Sequence, residues 1–303
     1  MTAVLEQYEQ ELTPDIANVR ALVQGMRLVF FLPAYNEEEN IERVVTGLRE
    51  YLLQLDFLQF HIVIVNDGSR DATGAIADTL ERSYPEIGVI HHNPNRGYGG
   101  ALISGFKSAA QSGWDIWAFF DGDGQFGVDS VGTVLHKLCE SDADMVVGRR
   151  IGRKDADSKF RFLLGRAWHF VSKALMGRGP NGQPLLSVMD VDCGIKAGYN
   201  KPLADIVDSF GGKAAAVSPE LIARANLAGH RIGEVGVTHL PRLAGESTGD
   251  KPMVMLKSAI SIAELSLRLR LQRRGAKRLL GAVGLLLLFV AIFATVGRKH
   301  GVR

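Results

Sequence analysis

The chain has 303 residues, 46% of them hydrophobic and 22% charged, which is typical of a globular enzyme with one or two domains. Its formal net charge is only +2, so overall charge gives no support for nucleic-acid binding. The two cysteines are not spaced like a metal knuckle and indicate a reducing compartment. No signal peptide is predicted at the N-terminus.

Between residues 27 and 149, short β-branched or aromatic runs alternate with helical patterns. Continuous apolar runs of this kind are typical of strands that are buried on both faces. Their alternation with helices predicts right-handed crossovers and an α/β fold with a doubly wound, mostly parallel sheet. The predicted strands are 27–32, 61–66, 87–92, 115–121 and 143–148, and the predicted helices are 37–52, one beginning near 71, 101–110 and 131–138.

The alternation stops at residues 150–190, which are rich in Arg, Gly and Lys and are predicted to form a mobile or ligand-shaped region. Regular structure resumes with a strand at 194–197, a helix at 219–227 and a strand at 232–237. An amphipathic helix with a basic end is then predicted over 252–271, where apolar residues recur at helical spacing.

Residues 279–296 contain no charge and are flanked on both sides by basic residues. A run of 18 apolar residues predicts a single transmembrane helix, and a buried core helix is the alternative. More Lys and Arg precede this run than follow it at 297–303, so residues 1–278 are expected on the cytoplasmic side of a membrane.

Polar and acidic groups follow the first, second and fourth predicted strands, at 33–37, 66–71 and 121–125. Each group alone has a structural explanation, because the first two resemble helix N-caps and the third resembles a tight turn. Together they lie where ligands bind in doubly wound sheets, beyond the carboxyl ends of the strands. An edge this acidic would repel an anionic ligand unless a divalent cation lay between them.

Asp121, Asp123 and Gln125 bring three oxygen-bearing side chains into one Gly-rich turn. Oxygen donors of this kind suit Mg²⁺ or Mn²⁺, with a diphosphate completing the coordination. The chain has no phosphate-binding motif of the GxxxxGK[ST] or GxGxxG type. The Gly-rich segment 95–100 opens a helix, and either a flexible turn or a loop near a phosphate or sugar fits it; the second interpretation is favoured.

The segments LPAYNEEENI, VNDGSRDAT, NRGYGGAL and DGDGQF, in that order, resemble a family-2 glycosyltransferase with a GT-A fold. The later segments VVGRR, RFLLGRAWH, VDCGIKAG and HLPRLAGEST are similar to the branch of dolichyl-phosphate mannose synthases and polyprenyl-phosphate glucosyltransferases. The resemblance covers roughly residues 27–250. It implies a GT-A domain at 27–250, which leaves an N-terminal extension at 1–26. The apolar and charge patterns add a basic interfacial helix at 251–278, the span at 279–296 and a basic tail at 297–303.

The resemblance also implies roles for individual residues. Those expected to bind the donor are Pro33, Tyr35, Glu37, Asp67, Asp121, Arg242 and Ser247. Asp123 and Gln125 are expected to hold the metal, with Asp121 as a further candidate. Arg149, Arg150 and Arg166 are expected to face the acceptor phosphate, and Asp123, Arg150 and Arg166 to carry catalysis.

Three positions depart from the family pattern. Asn66 stands where an aspartate is common, Arg149 where a serine is common, and Thr248 where a lysine often follows the late serine. These departures leave the basic residues around the acceptor less well defined than the acidic motif.

The implied reaction moves a hexose, with inversion, from a nucleotide sugar such as GDP-mannose or UDP-glucose to polyprenyl or dolichyl phosphate at a membrane. A phosphate monoester is already largely ionised at neutral pH, since its second pKa is about 6, so no general base is needed. A sugar hydroxyl acceptor and a non-catalytic scaffold that only binds nucleotide sugars are the alternatives. No nucleic-acid partner is expected, and a homo-oligomer is left open.

Overall fold

The computed structural model describes residues 14–111, 113–151, 170, 172–179, 182–211, 216–240 and 252–272. Seven strands form one sheet in the order β3-β2-β1-β4-β6-β5-β7. The strands are β1 Arg27–Ala34, β2 Gln59–Asn66, β3 Ile87–His91, β4 Ile116–Phe120, β5 Met145–Ile151, β6 Ile195–Tyr199 and β7 Ile232–Thr238. Each lies on a strand predicted from the sequence, with shifts of a few residues at the ends.

The sheet is mostly parallel, as predicted. Strands β1 to β4 pair in parallel, and β5 pairs in parallel with β7. Strand β6 lies between β4 and β5 and is antiparallel to both. The carboxyl ends of β1, β2, β4 and β5 therefore share one edge with the beginning of β6, and this edge carries the candidate site.

Helices alternate with most of the strands along the chain. They are α1 Ile16–Val23, α2 Ile41–Gln54, α3 Thr73–Ser83, α4 Gly97–Ala109, α5 Asp129–Glu140, α6 Asn200–Ala204, α7 Val217–Ala228 and α8 Pro252–Gln272. Within the described residues, no helix combines the length and the apolar character that crossing a bilayer requires. The predicted span at 279–296 lies outside the described residues.

Helix α1 falls inside the segment that the sequence analysis set apart as an extension. Its Val19 and Val23 are fully buried in the hydrophobic core. Val19 lies beside α5, where a Cβ added at Gly132 would be 3.6 Å from Val19 Cγ2. Apolar burial thus packs α1 against the core of the sheet domain.

The centre of the core is aromatic and sets the position of α4. Phe31 of β1 stacks on Phe119 of β4 with ring centroids 4.9 Å apart, and Phe106 of α4 meets Phe31 edge-on at 5.0 Å. A Cβ added at Gly105 would be 2.1 Å from the Phe31 ring, so glycine allows α4 to approach β1 this closely. The first turn of α4 consequently lies at the edge of the sheet that carries the site.

Candidate donor and metal site

The loops after β1 and β2 are joined by hydrogen bonds. The Asp67 amide donates to the Ala34 carbonyl at 2.9 Å, and the Asn36 amide donates to Ser69 Oγ at 3.0 Å. The Glu37 amide donates to Thr73 Oγ1 at 2.8 Å. The first two acidic groups therefore form one surface.

Asp71 makes hydrogen bonds to the beginning of α3 and to the loop after β1. Asp71 Oδ1 accepts from the amide of Thr73, the first residue of α3, at 3.0 Å. Its other oxygen accepts from the Glu38 amide in the neighbouring loop at 3.2 Å. One carboxylate therefore links the first residue of α3 to the neighbouring loop.

The predicted donor residues at the end of β1 lie at this same edge. Pro33 pairs with Val65 of β2, and its carbonyl accepts from the Gly122 amide at 3.4 Å. Tyr35 is exposed, and the Glu37 carboxylate accepts from the Asn40 side chain at 2.8 Å.

Asp67 is buried and held through one carboxylate oxygen. Its Oδ1 accepts from His92 Nδ1 at 2.6 Å and from the Arg96 amide at 2.8 Å. The Asn95 side chain donates to the Asp67 carbonyl. The loop after β2 is thus fixed by residues that follow β3.

Asp121 is held by two separate segments. Its Oδ1 accepts from the Tyr98 hydroxyl at 2.8 Å, and its amide donates to the Gly194 carbonyl at 3.0 Å. A Cβ added at Gly194 would be 2.0 Å from Asp121 Oδ2, so only glycine leaves room for this carboxylate. Desolvation and the charge of Asp123 raise the pKa of Asp121 to about 7.

The segment from Arg96 to Tyr98 brings the acidic groups together. The Arg96 amide contacts Asp67, and the Tyr98 hydroxyl, two residues later, contacts Asp121. The loops after β2 and β4 therefore meet at the start of α4, and the loop after β1 is joined to the loop after β2.

The loop of the predicted metal ligands is ordered by Gln125. The Gln125 amide donates to Asp123 Oδ1 at 3.1 Å. Its Nε2 donates to the Leu240 carbonyl at 3.3 Å and lies 3.4 Å from His239 Nε2. Both side-chain contacts use Nε2, so Oε1 is the Gln125 atom suited to a cation.

This donor set fits a divalent cation that is shared with a ligand. Asp123 raises the pKa of Asp121, after desolvation, and this mutual repulsion is the kind that a cation relieves. Among the described residues, no group of three or more His, Cys, Asp or Glu side chains could hold a metal ion. A cation here would draw on Asp123, the Gln125 amide oxygen and oxygens of a bound diphosphate.

Arg150, at the carboxyl end of β5, is tied to an acidic partner. Its Nε and Nη2 each donate to the Asp190 carboxylate at 2.7 Å, and the Arg150 amide donates to the same group at 3.2 Å. The Glu234 carboxylate in turn accepts from the amides of Met189 and Asp190. The Arg150 side chain is only 13% exposed, so its orientation is fixed, and its Nη1 makes no hydrogen bond within the described residues.

The neighbouring Arg149 is exposed, and its Nη1 lies 3.5 Å from Met189 Sδ. Three further predicted site residues lie outside the described residues: Arg166, expected at the acceptor phosphate, and Arg242 and Ser247, expected to bind the donor.

Lys196 is a site residue that was not predicted from the sequence, and it is completely buried in β6. Its Nζ donates to the Cys193 carbonyl and lies 5.4 Å from the centroid of the Phe119 ring. Desolvation lowers the pKa of Lys196, and the acidic residues around it, Asp121 among them, favour its charge. A lysine inside an otherwise apolar strand is the signal that could have identified it.

The sequence model of glycosyl transferase family 2 matches residues 29–205, more than half of the chain. The polyprenol monophosphomannose synthase of Mycolicibacterium smegmatis is 27% identical over 277 residues, which cover 89% of this chain and 97% of that protein. The undecaprenyl-phosphate mannosyltransferase of Micrococcus luteus is 28% identical over 226 residues, which cover 73% and 87%.

The fold is also similar to a solved structure. This is glucosyl-3-phosphoglycerate synthase from Mycobacterium tuberculosis in complex with Mn²⁺, UDP-glucose and phosphoglyceric acid, with a TM-score of 0.59, 20% identity and 84% of both chains covered. At this identity the likeness establishes a GT-A-like fold. The family match, together with acidic loops meeting at one edge of such a sheet, leads to one conclusion: the chain belongs to glycosyl transferase family 2.

Proposed function

We propose that the protein transfers a hexose from a nucleoside-diphosphate sugar to a polyprenyl phosphate. The observation that carries this proposal is that Asp67 and Asp121 are held by Arg96 and Tyr98 at the start of α4, with Asp123 near enough to raise the pKa of Asp121. The similarity to two transferases that act on polyprenol phosphates supports the acceptor class.

In this proposal the nucleoside lies against the loops after β1 and β2, with Asp67 as its main polar contact. Asp123 and Gln125 hold a divalent cation on the diphosphate, either Mg²⁺ or Mn²⁺. The cation would neutralise the charge that develops on the leaving nucleoside diphosphate. Tyr98 and Gly194 fix Asp121 between these two parts of the site.

The acceptor phosphate is assigned to the arginines at the end of β5. Arg150 is oriented by Asp190, and its remaining donors suit a phosphate oxygen. Arg149 is exposed beside it, and Arg166 is proposed as a third contact. Because the acceptor oxygen is already ionised, these residues need only align it for attack at the anomeric carbon, which gives inversion.

A membrane location is also part of the proposal. Residues 279–296 are proposed as a single span, with the basic residues just before it near anionic headgroups. A polyprenyl tail would then remain in the bilayer while its phosphate reached the edge of the sheet.

Incubating the protein with Mn²⁺, polyprenyl phosphate and labelled GDP-mannose or UDP-glucose tests this function. We expect an acid-labile lipid product with one of the donors and none when polyprenol replaces its phosphate. Asp123→Ala should reduce turnover at least about 100-fold while the protein stays folded.

Asp142→Ala is the matched control. Asp142 precedes β5 at the opposite edge of the sheet, and its side chain is 92% exposed, so full activity is expected. If neither GDP-mannose nor UDP-glucose gave a lipid product, polyprenyl phosphate would be contradicted as the acceptor. Unchanged activity of Asp123→Ala would contradict the metal assignment.

A further inference from the structure

His92 is a buried histidine that makes no contact with the proposed acceptor residues in the described structure. It follows β3 directly, and its side chain is 1% exposed. Its Nδ1 lies 2.6 Å from Asp67 Oδ1, and its Nε2 lies 2.8 Å from Ser104 Oγ on α4. The ring therefore links helix α4 to the acidic residue of the proposed donor pocket.

The chemistry of the partners fixes where the imidazole hydrogen lies. A carboxylate can only accept, so His92 Nδ1 carries the hydrogen that it shares with Asp67. In the neutral ring, Nε2 then accepts from the Ser104 hydroxyl. With the ring neutral, the order of donation is from Ser104 to His92 to Asp67.

The hydrogen bonds of Asp67 are all on one side of its carboxylate. Oδ1 accepts from both His92 and the Arg96 amide, whereas Oδ2 accepts no hydrogen bond within the described part of the chain. The Asp67 side chain is 4% exposed, and Oδ2 is not among the buried atoms that lack a partner. Oδ2 is therefore the oxygen that remains accessible.

The surrounding backbone reinforces this orientation. Gly68 has φ +68°, and a Cβ added there would be 3.0 Å from the Asn95 amide nitrogen and 3.1 Å from the His92 carbonyl oxygen. The loops after β2 and β3 are thus packed backbone to backbone. Asp67 has little freedom to rotate away from His92.

We propose that His92 is a positioning residue for the donor: by holding Oδ1 of Asp67, it presents Oδ2 to an N–H or O–H group of the nucleoside. This inference rests on the proposed function, because it assumes that Asp67 contacts the donor. His92 itself does not touch the donor; it acts through the carboxylate.

Two conservative substitutions separate this role from a purely structural one. The amide nitrogen of Asn occupies roughly the place of Nδ1, so His92→Asn can still donate to Asp67. The longer Gln side chain reaches the place of Nε2, so His92→Gln can keep the Ser104 contact but not the Asp67 contact. Ser104→Ala removes only the distal hydrogen bond and serves as the matched control.

Calorimetric titration of GDP and of UDP, each with Mn²⁺, and donor kinetics are to be measured on all four proteins. A lost hydrogen bond to a charged group predicts a rise of roughly tenfold or more in nucleotide Kd for His92→Gln. Donor KM should rise in parallel, with little change in kcat at saturation. His92→Asn and Ser104→Ala should stay within about threefold of wild type.

Thermal unfolding gives the readout for a merely structural role. Each His92 variant loses one hydrogen bond, so both should show similar decreases in Tm although only His92→Gln loses donor affinity. Equal nucleotide affinity in wild type and His92→Gln would overturn the role of His92, and so would an equal loss of nucleotide affinity in both His92 variants. Either result would leave the proposed function standing. A wild-type protein that binds neither nucleotide would overturn the proposed function as well.

Discussion

At the scale of single residues, hydrogen bonding explains why asparagine stands at position 66, where the family commonly has aspartate. Its Nδ2 lies 3.0 Å from His91 Nδ1, and its Oδ1 accepts from the Ser69 amide at 3.1 Å. His91 Nε2 lies 2.8 Å from Asp78 Oδ1, so the Nε2 hydrogen goes to that carboxylate and Nδ1 accepts. An aspartate at position 66 has no hydrogen to give to His91, whereas asparagine does.

The shifted pKa of Asp121 predicts how pH affects the metal-free protein. An unfolded Asp ionises near 3.8, whereas desolvation and the charge of Asp123 raise the pKa of Asp121 to about 7. Between these values the folded state binds more protons, so this group's contribution to stability is lost as pH rises towards 7. Asp121→Asn removes the titration, and the wild type should become less stable relative to this variant as pH rises.

Urea unfolding of both proteins in EDTA, in steps from pH 4 to pH 8, measures this difference. A difference in unfolding free energy that stayed constant across this range would contradict the shift. Groups remote from Asp121 affect both proteins alike, so the difference reports Asp121 together with its charged neighbours Asp123 and Lys196.

The acidic site residues could be predicted because their signal is local. Asp67, Asp121 and Asp123 each follow an apolar run, and the edge they share follows from a parallel sheet. The residues that hold them, Tyr98 and His92, could not be predicted in this way. Their contacts join segments 23 and 25 residues apart and depend on how α4 packs.

At the scale of elements, the types of helix and strand were predicted and the starting points were less certain. The helix predicted at 37–52 begins at Ile41, because residues before it make hydrogen bonds to the loop after β2. The helix predicted at 101–110 begins at Gly97. Propensity argues against glycines in a helical turn, but tertiary contacts override it here.

Two Gly→Ala substitutions should have opposite effects on stability, because α4 lies close to β1 at Gly105 whereas α2 has space at Gly47. Gly105→Ala places a methyl group against the Phe31 ring and should destabilise the protein by about 1–3 kcal/mol. Gly47→Ala, within α2, meets only Val128 Cγ1 at 3.9 Å and should stabilise it by about 0.5–1 kcal/mol.

Chemical denaturation of both variants tests this difference. Equal stability of the Gly105 and Gly47 variants would show that α4 has room to move away from the sheet. Since α4 also carries Tyr98 and Ser104, such freedom would weaken the account of the donor site.

At the scale of the whole molecule, the α/β class and the mostly parallel sheet were predicted, but the strand order was not. Local sequence patterns identify β6 as a strand and do not indicate that it lies between β4 and β5, antiparallel to both. That arrangement is set by long-range packing. It brings Gly194, just before β6, against Asp121.

The proposed membrane location predicts the effect of a C-terminal deletion. Removing residues 279–303 should release at least part of the protein from membranes, because the proposed span is lost and only the basic helix remains for surface attraction. Fractionation of cells that express the full chain or the shortened chain measures this. Full recovery of the intact chain in the detergent-free supernatant would contradict the span.

Asp67 and Asp121 are held by two groups that lie only two residues apart, the Arg96 amide and the Tyr98 hydroxyl at the start of α4. This short connection limits how far apart the two carboxylates can move while both hydrogen bonds remain formed. A donor with a larger or smaller base would therefore have to be accommodated beyond Asp67, while the interval from nucleoside to diphosphate stayed constant. Changes of donor preference among related chains should then concentrate around the base and spare this turn.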